Sequence, residues 1–350
     1  MRLALNLGYW DRGGPAAVVA LAQEAERLGY DSVWAAEAYG SDSPSVLAWV
    51  GARTERIALG SAVMQIPGRT PAMTAMTAAT IDALSGGRFR LGLGVSGPQV
   101  SEGWHGVRFG SPLRRTREYV EIVRMALRRD TLRYDGGFWT LPLPDGPGKA
   151  LKLTIRPTQE RVPVYLAAVG PRSLELAGEI ADGWLAIFFS PEHAGPQLAA
   201  LAAGRGRAGH GMTGSSPHGF DVVPTVPVVV GADLEVAADA LRGYCALYLG
   251  GMGSREKNFY NELAVRMGFG QAAARVQEHF LAGRHREAAA AVPFEFIDQT
   301  ALLGPPERIA ERIGRYAAAG ATTLAVSPYA ADLAGRLDVL RTAAEALPPA

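Results

Sequence analysis

The chain has 350 residues, 48% of them hydrophobic and 20% charged, with a formal net charge of +1. That balance describes a globular protein with a sizeable core and leaves no charge surplus for nucleic acid or an anionic membrane. A lone cysteine, Cys245, allows no internal disulfide and no cysteine metal framework, and its apolar helical setting predicts a buried small hydrophobe. No stretch approaches the roughly 18 apolar residues of a membrane span, the histidines lack any metal-ligand spacing, and a cytoplasmic location is expected.

From the N-terminus, residues 3–8 alternate as a first strand rather than a secretory leader, and 16–28 form a helix closed by Gly29. Residues 32–36 are the next strand, followed by a helix over 44–54 that Ser41, Asp42 and Ser43 can cap. Strand 57–64, helix 71–84 and strand 89–95 follow, then strands at 162–168, 183–189, 222–230 and 323–327. Near-continuous apolar strands alternating with helices mean a parallel sheet covered on both faces. Eight such units predict one α/β domain over 1–350, a (β/α)₈ TIM barrel, in preference to an open sheet. Two insertions fall after strand four, near 130–158, and before strand eight, near 250–303; the Gly/Ser-rich stretch 204–219 reads as a loop.

In this architecture chemistry belongs at the C-terminal strand ends. Strand two delivers Glu37 and Tyr39, a carboxylate and a phenol able to bind polar edges or move protons. Strand three ends in small residues around Ala62 and Val63, which let a planar ring approach the backbone. Strand four gives GLGVSGP, whose spacing and position are wrong for a dinucleotide fingerprint but right for a tight turn at Ser96 and Gly97. Trp104 and His105 follow, which suggest a ring-stacking partner or a proton carrier. Strand five ends in Ala167, Ala168, Val169 and Gly170 and runs straight into a helix, a natural phosphate cradle to which Ser173 adds a hydroxyl. The polar cluster from Ser254 to Tyr260 opens the later insertion and reads as a solvated face or a grip for an anionic tail.

The phrases DSVWAAEAYGSDSP, SGGRFRLGLGVSGPQVSEGWHG and VPVYLAAVGPRSLELAGEIADGW resemble the bacterial luciferase-like superfamily, most closely its oxidoreductases that use the deazaflavin coenzyme F420. The resemblance implies a non-prolyl cis peptide at Ala62–Val63, cofactor contacts from Glu37, Tyr39, Ser96, Gly97 and Gln99, and a phosphate against Val169 and Gly170. It also implies a homodimer joined through helices two and three. One departure stands out. Several deazaflavin enzymes carry Asp-His at the end of strand two, where this chain has Glu37-Ala38. Glu37, Tyr39 or His105 would then have to take the place of that proton carrier, or the substrate would need no proton from the protein.

The reaction implied is hydride transfer between F420 and a small organic substrate with a C=C, C=O or C=N bond, the protein supplying position and dryness. Trp104, His105 and the 250–303 insertion are expected on the substrate side. The alternatives are an FMN-dependent monooxygenase fed by a separate flavin reductase, and a flavin-binding protein without turnover.

Overall fold

Short apolar segments, each followed by an amphipathic helix, form eight parallel strands that close on themselves. In the computed structural model, which describes residues 1–9, 14–213, 216, 217 and 219–347, the strands are β1 (Arg2–Asn6), β2 (Ser32–Ala35), β3 (Ala58–Ser61), β4 (Phe89–Gly94), β5 (Val164–Ala167), β6 (Gly183–Ile187), β7 (Asp221–Val230) and β8 (Thr323–Pro328). Each pairs with its sequence neighbour, β6 pairs with β7, and β1 returns to β8. The predicted barrel is therefore closed. Its outer ring is α1 (Gly14–Arg27), α2 (Ser43–Gly51), α3 (Pro71–Leu84), α4 (Pro112–Leu127), α5 (Pro171–Ile180), α6 (Gly195–Arg207), α7 (Pro306–Ala318) and α8 (Leu333–Glu345). Asp42 caps α2, accepting from the Ser45 N–H at 2.9 Å, so the capping reading holds for that residue.

The barrel interior is filled, not hollow. Trp34 and Tyr165 meet edge to face with ring centroids 5.0 Å apart, among Ala4, Leu185, Val223 and Ala325, and Ala62 and Val63 pack on this plug. Gly60 and Gly183 are required beside it, because a Cβ at either would enter the Trp34 or Tyr165 ring. Below, at the N-terminal face, Tyr165 donates to Asp221 at 3.0 Å, and Asp221 and Asp31 are paired with Arg2 and Arg90. In a barrel this end serves stability.

Three boundaries depart from the sequence reading. Strand three stops at Ser61, breaks at Ala62–Val63, and resumes at Met64–Gln65, where it pairs again with β4. The second insertion is entered earlier than residue 250. The helix Leu234–Ala246 already belongs to it, because Ala237, Leu241 and Cys245 bury themselves in a second apolar cluster with Val276, Phe296 and Ile297. Burial raises the Cys245 thiol to about 12, which makes it the inert hydrophobe expected. Within 204–219, α6 continues to Arg207, and Gly204 is where it crosses the α5 backbone closely. Of that stretch, residues 214, 215 and 218 lie outside the described residues. The first insertion, entered after α4, carries a hairpin of Tyr134–Asp135 against Thr140–Leu141, and a short helix, Pro98–Gly103, precedes α4.

Candidate active site

At the C-terminal mouth of the barrel lies a cavity of about 1130 Å³, roofed by the helices after β7. Glu37, Tyr39, Ala62, Val63, Ser96, Gly97, Gln99 and the run Ala167 to Gly170 all line it. Small residues make this possible. A Cβ at Gly92 would collide with the Ser61 carbonyl oxygen, and one at Gly94 would sit 2.5 Å from Val63 Cγ2. Strand β4 can thus close on the back of the Ala62–Val63 peptide, which is cis, where the resemblance put it. The outcome is a flat, apolar wall.

Polar groups around this wall are held in one network. The Glu37 side chain, 6% exposed, receives Arg69 Nη1 at 2.7 Å and Nη2 at 2.9 Å, with the backbone N–H groups of Gln65 at 3.0 Å and Ser43 at 3.2 Å. Burial tends to lower the Arg69 pKa, but the bonds and charge of Glu37 outweigh it and leave it raised. Arg69 also bonds Asp42. Gln65 donates to the Ala38 carbonyl at 2.6 Å and accepts from the Ser96 hydroxyl at 2.7 Å, while Ser96 holds a φ of 57°. Arg69 and Gln65 were not singled out from the sequence. Gln65 offered one signal, its place directly after the strand-three break; Arg69 offered none, since its partner lies 32 positions away.

Across β5, the Ser173 hydroxyl donates to the Gly170 carbonyl at 2.7 Å, Trp184 Nε1 to the Ala168 carbonyl at 2.9 Å, and Arg266 to the Val169 carbonyl at 3.1 Å. The start of α5 is thereby fixed at the cavity, with Arg172 and Ser173 among its lining. Tyr39 reaches the cavity with 57% of its surface exposed.

The cavity does not gather every expected residue. Trp104 is 67% exposed and His105 packs against Gly68, where a Cβ would lie 3.1 Å from its Cε1; neither lines the cavity. His105 Nε2 is buried and has no hydrogen-bond partner. The insertion does contribute, through Tyr248, Met252, Phe259 and Tyr260. Tyr260, read as part of a solvated cluster, is instead half-buried in the aromatic wall; Asn258 beside it is buried and caps its helix at 3.0 Å. Opposite, Tyr9 places its hydroxyl 3.2 Å from that of Tyr248. Burial raises the Tyr9 pKa, the bond to Tyr248 partly offsets this, and Tyr39 adds to the rise. Among the described residues no group of three or more His, Cys, Asp or Glu could hold a metal, and no helix is long and apolar enough to cross a membrane.

The luciferase-like monooxygenase family profile matches residues 6–323. A protein of Mycobacterium tuberculosis, provisionally named a coenzyme F420-dependent oxidoreductase, is 42% identical over 337 residues, covering 95% of this chain and 96% of the relative. Among solved structures, the coenzyme F420-dependent tetrahydromethanopterin reductase from Methanopyrus kandleri superposes with a TM-score of 0.83 at 22% identity, covering 99% of this chain and 98% of that one. The oxygenating constituent of a Pseudomonas putida diketocamphane monooxygenase, solved with FMN, superposes less well, with a TM-score of 0.71 at 19% identity over 99% and 98% of the two chains. A barrel of this topology, matched across nearly its whole length, belongs to the luciferase-like monooxygenase family.

Proposed function

We propose that the chain is an oxidoreductase that transfers a hydride between coenzyme F420 and a small organic substrate. The observation that carries this reading is the flat wall of Ala62, Val63 and Gly94, flanked by Ser96–Gly97 and Ala167–Gly170, inside one cavity that also receives the start of a helix. The near-full-length relative named for F420 supports the deazaflavin over FMN. In this reading Ala62 and Val63 back the tricyclic ring, Ser96, Gly97 and Gln99 border it, and the backbone of Val169 and Gly170 with Ser173 meets the phosphate. The cofactor, when bound, supplies or accepts the hydride.

The protein's own contribution is position and exclusion of water. Glu37 is bound by four donors, so it acts as a positioning residue that ties the loops after β2 and β3 together rather than as a proton carrier. Tyr39 stays near the ring as the polar group of strand two, and His105 supports the loop behind it. The barrel and both insertions work as one unit, and a small-molecule substrate enters beneath the helices of the second insertion. The exposed Trp49 on α2 and Met73 and Met76 on α3 are suited to a second copy of the chain.

Fluorescence-quenching titrations with oxidised F420 and with FMN test the reading. Micromolar binding of F420, with weaker FMN binding, is expected. FMN binding alone, with oxygen consumption once a flavin reductase is added, would reverse it; binding of F420 without turnover on any carbonyl, enone or imine would leave a binding protein.

A further inference from the structure

The cavity has two unlike halves. Barrel order sets β1, β7 and β8 opposite β3, β4 and β5, so the wall facing the cis peptide comes from the first group together with the second insertion. That wall is built of tyrosines. Tyr9, Tyr244, Tyr248, Tyr260 and Tyr329 all line the cavity. Tyr248 lies with its ring centroid 4.9 Å from both Tyr244 and Tyr260, and Phe188 supports it at 5.6 Å. Rings locked in this way present a rigid apolar surface with hydroxyls at fixed points.

The hydrogen-bond count at this wall is uneven. Tyr9 and Tyr248 carry two hydroxyl hydrogens between them, and their mutual bond consumes one. Among the described residues nothing else accepts the second. Asn6, next along, already donates to Thr225 at 3.0 Å and accepts from the Gly8 N–H at 2.7 Å. Counter-charge is equally scarce. Of the charged lining residues, Glu37 is held by Arg69, Arg172 and Glu262 are exposed, and Arg336 is already partnered. A carboxylate or phosphate brought against the tyrosines would lose water and gain no cation, whereas a neutral oxygen would gain a donor.

From this juxtaposition we propose that the tyrosine wall selects a neutral, flat carbonyl compound, and that the Tyr9–Tyr248 hydroxyl pair binds its oxygen and delivers the proton. The inference rests on the hydride-transfer reading above and deepens it. As the hydride and its electron pair arrive from reduced F420 at the carbonyl carbon, the C=O π pair moves onto oxygen. The Tyr9 hydroxyl proton forms the new O–H bond, Tyr248 passes its own proton to the Tyr9 oxygen, and water restores Tyr248. One C–H and one O–H bond form, the C=O π bond breaks, and F420 leaves oxidised by two electrons. Tyr9 is the direct donor because it is 38% exposed, while Tyr248 is buried behind it. Burial raises both phenols above their ordinary value, so each keeps its proton at neutral pH.

The test uses the protein loaded with oxidised F420 and two probes with isotope-labelled carbonyls, α-tetralone and cyclohexenone. Infrared difference spectra should show the bound carbonyl band moved to lower frequency, as a hydroxyl donor requires. Tyr9→Phe and Tyr248→Phe keep the rings and should keep F420 affinity within about twofold. Tyr9→Phe should abolish the band shift and lower ketone reduction by roughly 100-fold or more, the usual scale for a lost proton donor; Tyr248→Phe should weaken both. A carboxylate analogue of tetralin that binds more tightly than the ketone would overturn the selectivity. A carbonyl band unshifted in the wild type, or shifted equally in Tyr9→Phe, would overturn the donor role. F420 binding with neither probe bound overturns this inference and leaves the hydride reading standing, while absence of F420 binding removes both.

Discussion

Glu37 illustrates how a residue at a catalytic address can be occupied by structure. Its two carboxylate oxygens meet a bidentate guanidinium and two backbone N–H groups, and little of it faces solvent. Bidentate arginine pairs of this kind fix geometry as well as energy. Arg69→Met should therefore leave a buried carboxylate without its cation and cost roughly 3 kcal/mol of stability, at the low end for breaking a buried pair because the two amides remain. Denaturant unfolding measures it. Glu37→Gln should preserve the pH profile of turnover while weakening F420 binding; a profile that loses an ionisation would assign Glu37 a proton-carrying role instead. The sequence exposed Glu37 because strand ends are readable from apolar periodicity. It could not expose Arg69, whose meaning lies in a partner 32 positions distant, and for Gln65 it offered only the place after the strand-three break, not the Ala38 carbonyl 27 positions away. His105 drew notice for its nearness to Ser96 in the chain, yet the turn after the helix Pro98–Gly103 carries it onto Gly68 and away from the cavity lining.

Between elements, close approach decides what the cavity can be. Strand β4 can lie behind the Ala62–Val63 peptide only because Gly92 and Gly94 have no side chains. Gly94→Ala would set a methyl 2.5 Å from Val63 Cγ2, so the Val63 side chain, and with it the wall, must shift. A drop in F420 affinity of about tenfold, or roughly 1.4 kcal/mol, is expected with the fold intact, read by quenching titration alongside circular dichroism. The first insertion depends on a different joint. Glu118 on α4 accepts from the N–H groups of Gly137 and Phe138 at 2.9 and 2.8 Å and from Arg114 at 2.8 Å, holding the hairpin to the barrel. Burial pushes its pKa up, but these donors more than offset it, and the net shift is downward. A lowered folded-state pKa adds stability that is complete above the unfolded value of about 4.3 and is lost as the pH falls through the folded value. Glu118→Gln should accordingly cost about 1–2 kcal/mol at neutral pH, and the gap from the wild type should narrow below about pH 4. A gap that stays constant in acid would remove the ionic contribution. Strand and helix order was legible from periodicity alone, since buried parallel strands read as apolar runs. The break in strand three was legible only through the family resemblance, and the early start of the second insertion was not, because Ala237, Leu241 and Cys245 look the same whether they pack on a barrel or on a neighbouring helix.

Over the whole molecule, the two ends of the barrel divide the labour. Ion pairs among Arg2, Asp31, Arg90 and Asp221 close the N-terminal end, the ring plug of Trp34 and Tyr165 fills the middle, and the cavity opens above it. The outer surface is not uniform either. On α3, Met73, Met76 and Thr80 are exposed along one face, while Thr74, Ala75, Ala78 and Ala79 are buried beneath, and Trp49 projects from α2 with Arg53 lying 3.2 Å over its ring. Large exposed side chains clustered on adjoining helices are costly for a solitary monomer. A twofold dimer would bury the same patch of both copies, so one substitution acts twice. Met76→Glu then sets two carboxylates against each other at or near the axis. Sedimentation velocity should give a dimer for the wild type at micromolar concentration and a monomer for Met76→Glu, with F420 affinity changed by less than about threefold, because α3 meets the cavity only through the loop that precedes it. A wild-type monomer at every concentration would refute the pairing. A dimer indifferent to Met76→Glu would move the interface to another face of the barrel.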